Sequence, residues 1–169
     1  MGRSRSTLEF GRTLFPQPTA GKVLAAQFGT PLFSLGMPLG LRETDRFFQV
    51  LAEISGRPTP PAHAAERGRL IDAYVDGHKY IFHKKAVVYG EDDLVAGLTA
   101  LLAEIGVRPV LCASGGKSGG LEAAIAEVTR DLLPEPPLVR EGVDFFEIAE
   151  EAEALRGGGD ADGRGEGQG

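Results

Sequence analysis

A glycine-rich segment between a predicted strand and a predicted helix is the part of the chain best suited to bind a ligand. Its small residues surround one lysine: Ser114, Gly115, Gly116, Lys117 and Ser118. Backbone N–H groups in such a turn, at the start of a helix, can bind phosphate or another anion. The Gly-Lys-Ser triplet is similar to the end of a P-loop, but that motif requires glycine where this chain has Leu111. Residues 114–118 are therefore predicted either to bind an anion or nucleotide, or to form a flexible turn without a ligand.

The other residues able to ligate a metal or act as a nucleophile form no recognisable constellation. Cys112 is the only cysteine, so the chain has neither an internal disulfide nor a cysteine-rich cluster site. It lies in a predicted strand, where a free cysteine is most often a small buried apolar residue. The histidines at positions 63, 78 and 83 lack metal-ligand spacing, and the acids at 91–93 are explained by a helix start that favours negative charge. We predict no catalytic and no metal-ligating residue in this chain.

The charge and hydropathy of the chain exclude several classes of partner. The net charge is -6 and the isoelectric point is about 5.1. An acidic chain without a basic stripe is a poor ligand for nucleic acid or for an anionic membrane. No apolar run approaches the roughly 18 residues that a membrane span requires. We therefore expect a cytoplasmic protein with no nucleic-acid partner and no membrane partner.

Strands and helices alternate through the second half of the sequence. The predicted elements are a strand at 86–89, a helix at 94–105, a strand at 109–113, a helix at 121–132, a short strand at 138–139 and a last helix. Asp144 and Glu147 have the spacing of a capping box for that last helix. In Phe145-Phe146, one ring is expected to face the core. This order predicts an α/β fold with a Rossmann-like parallel sheet and flanking helices, incomplete within this chain.

The first half is predicted to contain a helix from Thr19 to Gly29, a strand at 31–35, and a second helix that ends at Gly56. Thr44 or Asp45 could cap that second helix. A long helix then follows a proline-rich connector. Its apolar stripe consists of Leu70, Ile71, Tyr74 and Val75.

Five parts are predicted along the chain. They are a disordered lead-in (1–18), the C-terminal part of a first α/β domain (19–61), a linking helix (62–82), the start of a second Rossmann-like domain (83–156) and a disordered tail (157–169). The tail has no apolar residue larger than alanine and cannot pack against a core. The few strands and this tail favour the hypothesis of a truncated or clipped chain. A natural acidic linker tail is the alternative.

Three segments, in this order and spacing, resemble the nitrogenase component 1 superfamily. Residues 38–47 are similar to its Pro-(Ile/Leu)-Gly-x-x-x-Thr-Asp segment, and residues 66–72 to its Glu-Arg-Gly-Arg-Leu-(Val/Ile)-Asp helix start. Residues 84–109 resemble its passage from a strand through Gly-(Asp/Glu)-x-Asp and a helix to the next strand. The resemblance covers roughly residues 13–155.

The resemblance implies an oxidoreductase subunit that takes part in nitrogen fixation. Such a subunit has three similar α/β domains, pairs with a component 1 partner chain, and receives electrons from an ATP-driven iron protein. An iron–sulfur or iron–molybdenum cluster belongs to the full-length family. The cysteine ligand of its alpha-type chains would fall near Arg140-Glu141, where no cysteine stands. This favours a beta-type chain, or the related scaffold for iron–molybdenum cofactor biosynthesis, with no cofactor in this chain and no activity by itself.

Two other hypotheses remain open from the residues. The chain could be a small nucleotide- or anion-binding α/β module that uses the glycine-rich turn. It could also be a non-catalytic interaction fragment that pairs with a component 1 partner chain through an open sheet edge.

Overall fold

The computed structural model describes residues 4–14 and 18–157, which fold into alternating strands and helices. The elements in chain order are β1 (Thr7–Phe10), α1 (Ala20–Phe28), β2 (Leu32–Leu35), α2 (Gly40–Ser55), α3 (Pro61–Ile81), β3 (Lys85–Gly90), α4 (Asp92–Glu104), β4 (Arg108–Ser114), α5 (Leu121–Thr129), β5 (Leu138–Glu141) and α6 (Phe145–Gly157). The strands form two parallel sheets, β1–β2 and β3–β4–β5. The predicted α/β class, with a parallel sheet and flanking helices, is confirmed.

The central strand of the three-stranded sheet, β4, is covered on both faces, and its residues alternate between them. Cys112 faces a cluster that includes Val95 of α4 and Ile125 of α5. Leu111 faces the opposite side, where Ile148 of α6 packs against it. The central strand is thus buried on both faces, as a parallel sheet requires.

The capping box predicted for the last helix is confirmed. The Asp144 carboxylate accepts hydrogen bonds from the backbone N–H groups of Phe146 at 2.9 Å and Glu147 at 3.0 Å. The Glu147 carboxylate accepts in return from the Asp144 N–H at 2.8 Å. These bonds satisfy N–H groups that have no partner inside the helix.

The first unit is the β1–α1–β2 motif, and it differs from the prediction at its start. Residues 7–10, which were predicted as part of a disordered lead-in, form β1 and pair with residues 32–35. The pairing joins segments far apart in sequence, so local pattern does not reveal it. Helix α1 behaves as predicted, with the Thr19 hydroxyl accepting from the Lys22 N–H and Gly29 in the left-handed conformation. Of the predicted tail at 157–169, residue 157 is the last residue of α6, and residues 158–169 lie outside the described residues.

Helix α2 begins one turn earlier than predicted, and its cap comes from another helix. Neither Thr44 nor Asp45 caps it. The Glu104 carboxylate, at the end of α4, accepts from the N–H groups of Leu41 at 2.7 Å and Arg42 at 2.9 Å. A carboxylate is unfavourable at the C-terminus of its own helix but favourable at the N-terminus of another. Glu104 therefore caps the N-terminus of α2 and not an end of its own helix.

Two predicted apolar faces are less covered than expected. No residue of α3 is buried, and Val75, in its predicted apolar stripe, is 68% exposed. Phe145 and Phe146 are 74% and 83% exposed, so the prediction that one ring faces the core was wrong. Ile148 is the residue of α6 that packs into the core. None of the described helices is long and apolar enough to cross a membrane.

Replacing Glu104 with glutamine should lower the free energy of unfolding by about 1 kcal/mol, because α2 loses an anionic cap. Urea unfolding followed by circular dichroism measures this change. Glu53→Gln, an exposed change within α2, is the matched control. Equal stabilities of the two variants would contradict the assignment of Glu104 as the cap.

Candidate functional site

The three segments that carry the family resemblance meet around helices α2, α3 and α4. Glu104, in the third segment, caps helix α2 beside Gly40 of the first segment. A side chain on Gly40 would start 2.5 Å from a Glu104 oxygen. Gly40 also has a φ of +76°, which favours glycine. The motif glycine is thus explained by a carboxylate that approaches the backbone closely.

The first and second segments are joined by a bidentate ion pair. Arg67 donates from Nε and Nη2 to the two carboxylate oxygens of Asp45, each at 2.7 Å. This parallel geometry fixes the orientation of both side chains. Both groups are about half exposed, so the pair orients α3 against α2 more than it stabilises the fold.

A groove of about 550 Å³ lies beside this ion pair, between α2 and α3. Its walls are mainly apolar and include Leu41, Phe48 and Leu70. The His63 ring lies 4.9 Å from the Phe48 ring, centroid to centroid, so this histidine packs on an aromatic residue. His78 and His83 both pack against Phe82 instead, with ring centroids 4.2 and 3.8 Å away. The structure therefore brings the three histidines to aromatic neighbours.

Another carboxylate at the opposite end of α4 binds the segment after β1. Asp93 Oδ1 accepts from the Arg12 N–H at 2.8 Å, and from the N–H and hydroxyl of Thr13 at 3.1 and 3.0 Å. Arg12 in turn donates to Glu43 at 2.7 Å and Glu127 at 2.5 Å. Asp93 was interpreted from sequence as a helix-start acid. It does stand in the first turn of α4, but its bonds go to a distant loop.

The glycine-rich turn, residues 114–118 and the two glycines after them, already holds an anion from its own chain. Glu141, at the end of β5, accepts through Oε1 from the Ser118 hydroxyl at 2.9 Å and from the Gly119 N–H at 2.9 Å. Ser114 turns inward, and its Oγ accepts from the Gly116 N–H at 3.0 Å. Glu141 is the site residue that sequence reasoning missed. The topology could have indicated Glu141, because the carboxyl ends of adjacent parallel strands lie at the same edge of a sheet. Ser114 is the register partner of Glu141.

Further negative charge and a packed lysine surround the same turn. Asp92 Oδ1 is buried without a hydrogen-bond partner among the described residues, and a side chain on Gly116 would start 3.2 Å from it. Lys117 extends its aliphatic stem across Gly142 and leaves no space there for a side chain. The turn can therefore donate to an anion, but two carboxylates lie close to the position that a phosphate would take.

Cys112 has the environment of a core residue. Its side chain is fully buried, and its Sγ lies 3.2 Å from the Thr99 hydroxyl. Burial raises the pKa of the thiol to about 11, against a smaller opposite effect of the Thr99 hydrogen bond. The thiolate that ligates metals and acts as a nucleophile is thus strongly disfavoured. Within residues 4–14 and 18–157, no three His, Cys, Asp or Glu side chains come together as a metal site.

Comparison with known proteins gives one consistent family. The model of the family described as nitrogenase component 1 type oxidoreductase matches residues 1–157. The nitrogenase molybdenum-iron protein beta chain of Bradyrhizobium diazoefficiens is 43% identical over 96 residues, which are 56% of this chain and 18% of that one. The vanadium-iron protein beta chain of Trichormus variabilis is 32% identical over 114 residues, 66% of this chain and 25% of that one.

A solved structure shows the same likeness in three dimensions. The structure titled "Nitrogenase Cp1 at pH 6.5" superposes with a TM-score of 0.82 at 27% identity, over 90% of this chain and 33% of that chain. The chain spans about a third of that structure and between 14% and 32% of the relatives' lengths.

The Cys112 thiol should not react with a thiol reagent such as Ellman's reagent while the protein is folded. One thiol per chain should react in denaturant. Because its pKa is raised from 9.0 to about 11, the folded protein holds a proton that the unfolded chain releases. The corresponding stability is present below about pH 9 and is lost as the pH rises towards 11. Thermal melts across this range, with Cys112→Ala as the control that lacks this loss, measure the effect. Fast native reaction would contradict the assignment.

Replacing Glu141 with alanine should free the amides of the turn. The variant should lose about 1 kcal/mol of stability, and its melting temperature should rise with added inorganic phosphate. The wild type should respond much less, because its own carboxylate competes. Glu150→Ala, an exposed change in α6, is the control. Equal phosphate responses in the wild type and in Glu141→Ala would show that Glu141 does not compete.

Proposed function

Because this chain belongs to the family of nitrogenase component 1 type oxidoreductases, we propose that it acts as part of a beta-type component 1 subunit in nitrogen fixation. Its role there is structural: it joins two α/β units and holds them in a fixed orientation. The reduction of substrate belongs to the larger assembly, and this chain by itself is inactive.

The observation that carries this proposal is the meeting of the three family segments. The Glu104 cap on α2 links the first and third segments, and the Asp45–Arg67 pair links the first and second. Burial and the charge of Glu104 together raise the pKa of Tyr74 on α3, so the third segment also influences this helix. Polar contacts that hold elements in one orientation suit a segment that connects two domains. The proposed parts are a first unit at 19–61, a linking helix at 62–82 and a second unit at 83–156.

The iron–sulfur and iron–molybdenum clusters that family membership implies do not fit the donors of this chain. Such clusters are held by thiolates, and the single thiol is enclosed in the core and keeps its proton. We therefore derive no step of the reaction through these residues.

The proposed partners are an alpha-type component 1 chain and, through the whole complex, an ATP-driven iron protein. The relatives named as molybdenum-iron and vanadium-iron beta chains support a beta-type subunit over the scaffold for cofactor biosynthesis. A beta-type chain needs its alpha-type counterpart, and the mostly exposed polar and apolar residues of α3 offer it a surface.

The proposal predicts that the chain, purified without oxygen, contains substoichiometric iron and lacks the visible absorption of an iron–sulfur cluster. Co-expressed with an alpha-type chain of a molybdenum-iron protein, it should co-purify with that chain. The charge reversal Arg67→Asp should weaken the association severalfold, because α3 loses its fixed orientation. The double variant Asp45→Arg/Arg67→Asp should restore it.

Circular dichroism establishes that each variant is folded, and Arg46→Asp, on the exposed side of α2, serves as the matched control. Failure of the folded wild type to bind the alpha-type chain would contradict the partner assignment. Iron bound in stoichiometric amount would contradict the absence of a cofactor in this chain.

A further inference from the structure

We draw no further inference here: the strongest candidate, the cluster that the glycine-rich turn forms with Asp92 and Glu141 at the carboxyl edge of the three-stranded sheet, combines a helix N-terminus with two acidic side chains, and nothing else in the described residues indicates which ligand it would bind.

Discussion

Two carboxylates at opposite ends of helix α4 hold the first unit of this protein to the second. Asp93, in the first turn, binds the backbone after β1, and Glu104, in the last turn, caps α2. Between them, α4 buries one side against the sheet and packs α2 on another. Gly97 permits this second contact, because a side chain there would start 3.0 Å from Leu39. The positions of α2 and of the β1–β2 sheet depend on these attachments.

The same arrangement, a carboxylate that accepts hydrogen bonds from a distant segment, occurs again at the glycine-rich turn. There Glu141 accepts from the Ser118 hydroxyl and the Gly119 amide. An intramolecular carboxylate supplies the negative charge that a helix start favours, without a bound phosphate. A turn that looks like a nucleotide site in sequence is therefore also a means of joining β5 to the start of α5.

The distribution of exposed apolar residues separates two surfaces. The groove between α2 and α3 contains the Asp45–Arg67 pair, and both helices carry segments that resemble the component 1 family. Val87 and Tyr89 of β3, in the other unit, form the second exposed apolar surface. Within the described residues, the core is built around β4, which is buried on both faces, while β3 has an exposed face. The exposed apolar residues thus lie at the periphery of a well-packed centre.

The sequence by itself determined the order of strands and helices from α1 onwards, the parallel character of the sheet, the capping box at Asp144 and Glu147, and the burial of Cys112. Each follows from neighbouring residues or from a hydrophobic period. The sequence also contains the three segments that indicated the component 1 family. The tertiary structure decided the start of α2, the existence of β1 and the occupant of the glycine-rich turn. The first depends on a bond across 63 residues. The others depend on strand pairing and on a bond across 22 residues, which no local pattern encodes.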